Sequence, residues 1–540
     1  MTLRDGPDTP RSGFDPDSSK VYLVGGGIAS MAAAAFLIRD ADAIGANITI
    51  LEESGVVGGA LDATGTAEDG YMMRGGRMFE SKYLCTFELF EDIPALDGRS
   101  SVTQDILAWN QTLKTSSKSR LVRDGQRRTA PRFGLSEQHI LGLEGLVLLP
   151  ESILGTASIA DKFDPSFFKT DFWFMWCTTF AFQPWHSAVE FKRYLARFVH
   201  MVSGFDRLEG IMRTRYNQYD SLVRPLRQWL ESRGVVFTFA TRVTDLAIRE
   251  GDGEMTVEGI SYRRDGHGGR IEVEANDLVI VTLGSMVEAY TLGSMDAAAP
   301  QATERQGGAW GLWETLATGR PAFGRPSVFA DHVAQSKWVS FTTTLRDPTF
   351  LRRLLDLTGN VPGEGGLITF PQSPWLASIV APYQPHFIGQ PEDVAVFWGY
   401  GLTVDAAGAF VPKPMADCSG AEIMTEILGH LGFQADAEAI LRTSTCIPCM
   451  MPFITSQFLR RAPGDRPAPV PAGSRNLGFI GQFCELPRDV VFTVEYSIRS
   501  AQVAVGELAG LERRPPAVYQ GALDPRVAFK AFMALHDIDA

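Results

Sequence analysis

The sequence predicts an α/β protein: a discontinuous Rossmann-like nucleotide-binding domain, an inserted mixed α+β domain and a helical C-terminal tail. Three observations carry this. A run of glycines separates an apolar strand from an alanine-rich helix at residues 20–40. Strand-and-turn patterns return at 233–246, 276–286 and 475–505. Between them lies apolar, aromatic sequence, and a chain of 540 residues has room for roughly two to four domains.

The first element, KVYLVGGGIASMAAAAFLIRD (Lys20–Asp40), reads as strand, turn and helix, and NITILEES (Asn47–Ser54) as a second strand ending in Glu52 and Glu53. This is the βαβ dinucleotide pattern. Gly25 permits the tight turn. Gly27 lets the backbone approach a pyrophosphate, which then sits on the helix N-terminus at Ala29 and Ser30. Ser30 stands where the pattern has a third glycine, and its small side chain still permits close helix–strand packing. Glu52 is placed to bind a ribose hydroxyl.

RGVVFTFATRVTDL (Arg233–Leu246) is a strand with a turn, and NDLVIVTLGSM (Asn276–Met286) a strand followed by Gly-Ser. Arg475–Val505 reads as strand, Gly481 turn, loop and a helix beginning near Val491. No second glycine pattern occurs mid-chain, as a two-dinucleotide NAD enzyme would show. One pattern plus a late glycine turn favours FAD, held by both ends of the chain. The FAD-binding domain is expected at 20–115, 205–300 and 440–505, the substrate domain at 116–204 and 301–439, and a helical segment at 506–540. Gly59, Val243, Ser285, Gly481 and Val491 join the glycine turn as expected cofactor contacts.

Composition excludes several classes. Net charge is −13, with 45% hydrophobic and 21% charged residues, which argues against sequence-independent nucleic-acid binding. Six cysteines are too sparse for a disulfide framework. The eight histidines form no HxxxH or HExxH pattern, so no metal is expected, and no GxSxG elbow appears. The first twenty residues are polar and lack the apolar stretch of a signal peptide. No apolar run approaches the ~20 residues of a membrane span. The chain reads as cytoplasmic.

The middle of the chain supplies the substrate side. Residues 172–185 hold seven aromatics: Phe172, Trp173, Phe174, Trp176, Phe180, Phe182 and Trp185. They read either as core or as the lining of an apolar pocket. Ser187–Val202 has helical periodicity and carries Tyr194; Arg215–Gly234 reads as a second amphipathic helix with Gln218 near its start. Thr369–Phe387 is a loop or edge strand and Ala395–Leu402 a buried strand. CIPCMMPF (Cys446–Phe453) contains a lone CxxC and is read as a proline-containing apolar turn rather than a metal or redox site.

The blocks GGGIASMAAAAFLIRD, MRGGRMFES, TTFAFQPWHSAVEFKRY, RYNQYDSLVRPL, QSPWL…QPHF and FIGQFCELPRDVVFTVEYSIR resemble, in the same order, the oleate hydratase family. These are FAD-containing hydro-lyases, once called myosin-cross-reactive antigens, that add water across the cis-9 double bond of acids such as oleate to give a 10-hydroxy acid. The resemblance implies FAD, an unsaturated fatty acid and water as partners. It implies that Arg74, Gly75, Gly76 and Arg77 lie against the flavin. The family motif reads RGGREMENH, and its first glutamate, assigned to the water, is here Met78; Ser81 and Lys82 replace its Asn and His, and Glu80 keeps its second glutamate. Tyr194 matches the proton-donating tyrosine. Gln218 and His386 match two carboxylate-anchoring residues, while Val380 and Pro382 stand in place of a Thr and an Asn.

The expected activity is therefore fatty acid hydration with FAD in a non-redox role, by a divergent member in which Glu80 or a backbone carbonyl holds the water. The alternatives are a flavin-dependent oxidoreductase or double-bond isomerase on a lipid-like substrate, and a non-catalytic lipid-binding flavoprotein. Pro525–Ala540 reads as a short amphipathic helix that either docks on the protein or meets a membrane surface. Monomer and homodimer both stay open.

Overall fold

The computed structural model describes residues 13–76, 78–129, 133–301 and 307–536. Its organising element is a five-stranded, all-parallel sheet. The strand order is Leu477–Ile480, Leu278–Thr282, β1 (Val21–Val24), β2 (Ile48–Leu51) and Val236–Thr238. Purely parallel strands are covered on both faces, which is why these segments are short apolar runs rather than alternating ones. Helix α1 (Ile28–Asp40) packs between this sheet and the helix Val494–Leu508. Ala32–Ala35 are at most 1% exposed. Small side chains are what let α1 be buried on every side.

A three-stranded antiparallel sheet (Thr241–Gly251, Glu254–Arg264, His267–Glu272) flanks the parallel one, with helix Gly308–Ala317 against its first strand. The second large layer is an eight-stranded mixed sheet. Its order is Thr291–Leu292, Ser444–Met451, Trp338–Leu345, Ala395–Gly401, Ala377–Val380, Ile368–Thr369, Ser119–Arg123 and Gln126–Thr129. Residues 291–292 and 444–451 thus belong to this sheet, although both fall in segments assigned to the nucleotide domain from the sequence.

The CxxC segment is corrected by the same observation. Ser444–Met451 is an interior strand, paired residue by residue with Trp338–Leu345. Pro448 is tolerated because the strand on its other side is only Thr291–Leu292, and Gly293 N–H donates to the Pro448 carbonyl just beyond it (2.8 Å).

A small hairpin, Ala63–Thr66 with Gly70–Met73, ties the two layers together. The Tyr71 and Met73 N–H groups donate to Thr344 Oγ1 (2.8 Å) and Thr342 Oγ1 (3.1 Å) of the large sheet. The chain then enters Arg74–Gly76 at the junction of the layers.

Tyr194 lies on helix Ala188–Phe198, capped by Ser187, whose side chain accepts from Val189 N–H. Arg215–Gly234 is less regular than expected: a π-turn at Tyr219–Val223 precedes the helix Arg224–Ser232. The tail helix Pro525–Leu535 docks on residues 199–207 through buried Ala531, leaving Leu523, Phe529 and Phe532 exposed. Among the described residues no helix is long and apolar enough to cross a membrane.

A buried ion network holds helix Ala188–Phe198 to the C-terminal third of the chain. Glu190 Oε1 accepts from Arg461 Nε (2.9 Å) and Arg466 Nη1 (3.0 Å), and Arg193 pairs with Glu151 and Glu485. Burial works against the Glu190 carboxylate, but Arg466, Arg461 and Arg193 outweigh it and hold it down to about 2. A depressed acid contributes stability above its unfolded range and loses it only as pH falls through the folded value. Removing one partner of such a network costs about 3–5 kcal/mol, because the other charges stay buried. Glu190→Gln is expected to lose that amount in urea denaturation at pH 7.

Candidate active site

Two cavities meet where the layers join. The larger, about 430 Å³, opens over the glycine turn. Gly25, Gly27, Ala29, Glu52, Gly59, Arg74, Val243, Ser285 and Gly481 all line it. Gly25 needs its glycine: φ is +92°, and a side-chain carbon would sit 3.3 Å from Thr282 Cβ. At Gly27 a side-chain carbon would meet nothing within 4 Å, so glycine there leaves the backbone open to a ligand. No side chain caps α1 at Gly27 and no acid lies in its first turn. Its positive end is therefore left for an anion. A second helix start, Thr493, Val494 and Ser497, lines the same cavity. Glu52 Oε2 accepts from Gly26 N–H (2.6 Å) and Oε1 from Ser54 N–H (2.8 Å), which fixes the carboxylate at the wall. These residues fit a dinucleotide.

Four expected contacts do not line it: Gly75 and Gly76, which belong to the smaller cavity, and Ser30 and Val491. Ser30 packs α1 on the sheet, with its hydroxyl 3.1 Å from Thr282 Oγ1. Val491 lies behind the wall: the helix begins at Val494, and Phe492 and Thr493 are the residues that face the cavity. Arg77 lies outside the described residues. Arg74 is held by Asp62 (2.8 Å) and the Gly59 carbonyl (2.9 Å), with its guanidinium 3.9 Å from the centre of the Tyr290 ring.

The smaller cavity, about 100 Å³, shares Leu61, Asp62 and Phe492 with the larger. Gly75, Gly76, Met78, Gln218, Val380, Pro382 and His386 all line it, so residues from separate stretches of the chain converge here. Gly76 lies against Trp398 and Val380; a side-chain carbon there would be 3.6 Å from the Trp398 ring. The Asn217 N–H donates to the His386 carbonyl (2.9 Å), and the Asn217 side-chain amide donates to the same oxygen (3.1 Å). That clamp joins the Gln218 turn to the His386 loop. Among the described residues neither end of the Gln218 amide has a hydrogen-bond partner, and neither does His386 Nδ1. Burial, then Arg213, pushes His386 down to about 3, so the ring is neutral. The seven aromatics of 172–185 line neither cavity. Phe172, Trp176 and Phe180 pack in series on one another, Trp173, Phe182 and Trp185 pack on Phe191, Phe458 and His186, and the small residues Thr178, Thr179 and Ala181 face the smaller cavity instead.

Tyr194 is 1% exposed and donates its hydroxyl to the Val491 carbonyl (2.5 Å), one residue behind Phe492. Its ring packs edge-on against Phe180 and Phe182. It is not a lining residue of either cavity. Glu80 is likewise away from both, bound by Arg197 (2.6 Å), His200 (3.3 Å) and the Lys82 N–H (2.7 Å). Burial raises its carboxyl, but the His200 hydrogen bond and Arg197 hold it below the usual range.

Sequence reasoning missed Arg213, which lines the smaller cavity two residues before the block beginning at Arg215, and Phe492, the residue shared by both walls. It also missed the Arg74–Asp62 pair. Only the positive φ of Phe492 (+68°) marks it locally, and nothing in its sequence context signals that. Among the described residues no group of three or more His, Cys, Asp or Glu is placed to hold a metal ion.

A cavity over a glycine turn, built from both ends of the chain and opening beside a mainly apolar pocket, defines the class: a Rossmann-like flavoprotein fold. Known structures of that architecture align throughout. Cyclohexylamine oxidase from Brevibacterium oxydans IH-35A matches with a TM-score of 0.51 at 13% identity, covering 91% of this chain and 99% of that one. A putrescine oxidase redesigned in its cofactor binding matches at 0.51 and 12%, covering 92% and 100%. These likenesses concern the fold. The chain belongs to the MCRA family, whose model matches residues 18–505. It is 39% identical to an oleate hydratase of Streptococcus pyogenes serotype M49 (strain NZ131), over 98% of this chain and 92% of that protein. It is 32% identical to a linoleate hydratase of Lactiplantibacillus plantarum, over 91% and 94%.

One titration follows from the far wall of the larger cavity. Glu288 accepts from the Gly307 and Trp310 N–H groups (both 3.1 Å) at the start of helix Gly308–Ala317. Burial, with a contribution from Glu53, lifts its carboxyl from 4.5 to about 7. An acid raised on folding destabilises the folded state progressively as pH rises from 4.5 to 7, by roughly 3 kcal/mol at 1.36 kcal/mol per unit. Glu288→Gln is expected to flatten the fall in Tm between pH 5 and 8, measured by calorimetry.

Proposed function

We propose that this protein is a fatty acid hydratase that adds water to the cis-9 double bond of oleate-like acids, giving 10-hydroxy acids, and that FAD occupies the larger cavity. The observation that carries the reading is the junction of the two cavities. A nucleotide site shares Leu61, Asp62 and Phe492 with a mainly apolar pocket in whose wall polar atoms of Gln218 and His386 have no partner among the described residues. Near-full-length similarity to two hydratases supports it.

Gly25, Gly27 and the start of α1 would hold the FAD pyrophosphate, Glu52 the ribose, and Gly59, Arg74 and Gly481 the remainder. Bound there, FAD supplies a charged, planar wall whose electron density stabilises positive charge nearby. The chain's residues do the rest. The reaction protonates one alkene carbon and adds water to the other, and the water's second proton returns to the protein. Tyr194 is the proton donor. Its hydroxyl is bound to the Val491 carbonyl, one residue from Phe492 of the shared wall, which puts the donor directly behind that wall. Met78 offers no acceptor for the water's proton, and Glu80 is engaged with Arg197 and His200. Water is therefore oriented by backbone carbonyls around Gly75 and Gly76, at some cost in rate. The exposed Leu523, Phe529 and Phe532 of the tail suit contact with a lipid surface that delivers the substrate.

The FAD-loaded protein incubated with oleate is expected to form hydroxystearate by mass spectrometry, faster with reduced flavin, and Tyr194→Phe to cut the rate at least about a hundredfold. Absence of product in both flavin states, with oxygen uptake instead, would select the oxidoreductase reading. Restoring a positioned carboxylate should help: a general base contributes about 10²–10⁴-fold. Met78→Glu is expected to raise kcat roughly tenfold or more, measured in the same assay.

A further inference from the structure

Hydration of an alkene releases one proton that needs a receiver. When water adds to the carbon that has become positive, its oxygen forms the new C–O bond and one of its O–H bonds breaks. Met78 has no acceptor, and Glu80 is tied to Arg197 and His200. Backbone carbonyls around Gly75 and Gly76 orient water but cannot keep its proton. Among the described residues that line the smaller cavity, Asp62 alone carries a carboxylate. It lines the larger cavity too, in the shared wall with Leu61 and Phe492.

The position of Asp62 is built. Its N–H donates to the Gly59 carbonyl (3.2 Å), closing the short turn Gly59–Leu61, and the next residue opens the hairpin that is bonded to the large sheet. Its Oδ2 pairs with Arg74 Nη1 (2.8 Å), which also donates to the same Gly59 carbonyl (2.9 Å). Arg74 does not line the smaller cavity, so this pair offsets the cost of burying the charge from outside the pocket. The other oxygen, Oδ1, makes no hydrogen bond or ion pair among the described residues.

The donor stands at the same junction. Tyr194 is bound to the Val491 carbonyl, behind Phe492. A phenol behind the shared wall and a carboxylate in it flank one place, as adding H and OH to two neighbouring carbons requires. His386 also offers a ring nitrogen, but it lines only the smaller cavity. A carboxylate in an ion pair is a weak base, and a weak base suffices here. Water bonded to a carbocation is an oxonium, a far stronger acid than any carboxylic acid, so position matters more than basicity.

We propose that Asp62 accepts the proton that the adding water loses. The alkene π pair takes the Tyr194 proton as a new C–H bond, and a water lone pair forms the C–O bond at the neighbouring carbon. The electron pair of the broken O–H bond stays on oxygen while its proton goes to Oδ1. Proton exchange with solvent then restores Asp62 and Tyr194, with no net redox change. This rests on the hydratase reading for the reaction.

The FAD-loaded protein, Asp62→Asn and Asp62→Asn/Met78→Glu are compared with oleate, with flavin content read from absorbance. Asp62→Asn is expected to lower kcat at least about a hundredfold while flavin content and KM stay within about threefold. Met78→Glu in that background is expected to recover at least about tenfold, because it returns a carboxylate to the pocket. Full activity of Asp62→Asn would overturn the proposal, as would a double variant no faster than Asp62→Asn, which would mark Asp62 as structural. If Asp62→Asn does not fold or loses its flavin, a crystal structure of the unmodified protein with hydroxystearate decides. The new hydroxyl is expected about 3 Å from Asp62 Oδ1, directly or through one water, and a hydroxyl out of that reach overturns the assignment. No hydroxy acid from the unmodified protein would sink the hydratase reading itself, whereas product formed equally well without the Asp62 carboxylate sinks only this one.

Discussion

Parallel pairing between strands from opposite ends of the chain is the constraint on which both cavities depend. Val21–Val24 pairs with Leu278–Thr282, and that strand pairs in turn with Leu477–Ile480. Each flanking turn then delivers a helix start to the same side of the sheet, at Gly27 and at Thr493. Backbone dipoles that would be unremarkable singly become one surface suited to an anion because the sheet register aligns them. Losing the last strand would remove Gly481, Thr493 and Phe492 together, and with them the wall between the two cavities.

That wall sets the chemistry. Phe492 is held in a left-handed backbone conformation, with Gln482 accepting its N–H (2.5 Å) and donating to the Thr493 carbonyl (2.9 Å). A bulky residue in that region carries strain, and the Gln482 contacts hold it in place. On the other side, the hairpin at 63–73 is hydrogen-bonded to the large sheet and pushes Gly75 and Gly76 into the junction. The resulting pocket tolerates enclosed polar atoms on Arg213, Gln218 and His386 that have no partner among the described residues. Each such group costs about 1–3 kcal/mol. The ion network around Glu190 and the extensive core supply the stability that lets the site keep them, and a ligand that satisfies several at once gains accordingly.

The legible parts of the fold were those with local signals. Glycine turns, the apolar β1 and the alanine-rich α1 sit where periodicity put them, because their physics is contained within a few residues. The CxxC segment was misread for a complementary reason. A strand containing proline looks like a turn until its neighbours are known, and Pro448 is permitted only because Thr291–Leu292 is so short. The π-turn at Tyr219–Val223 is also settled by a tertiary contact, the Asn217–His386 clamp, whereas the shift of the last helix from Val491 to Val494 follows a local cap, Thr493 accepting from the Tyr496 N–H. The aromatic run at 172–185 shows the limit from the other direction: composition can signal burial, but not whether the buried face meets protein or an empty pocket.

From the sequence alone came the nucleotide turn, its discontinuity, the family and a set of candidate side chains, since these depend on residue types and spacings along one chain. Tertiary structure decided which of those candidates face a cavity. It put Gln218 and His386 on one patch with Arg213, turned Tyr194 toward the Val491 carbonyl, and closed Glu80 behind Arg197. The reason is physical: an ionisable group's role follows from its desolvation and its nearest charges, and both are set by residues far away in the sequence.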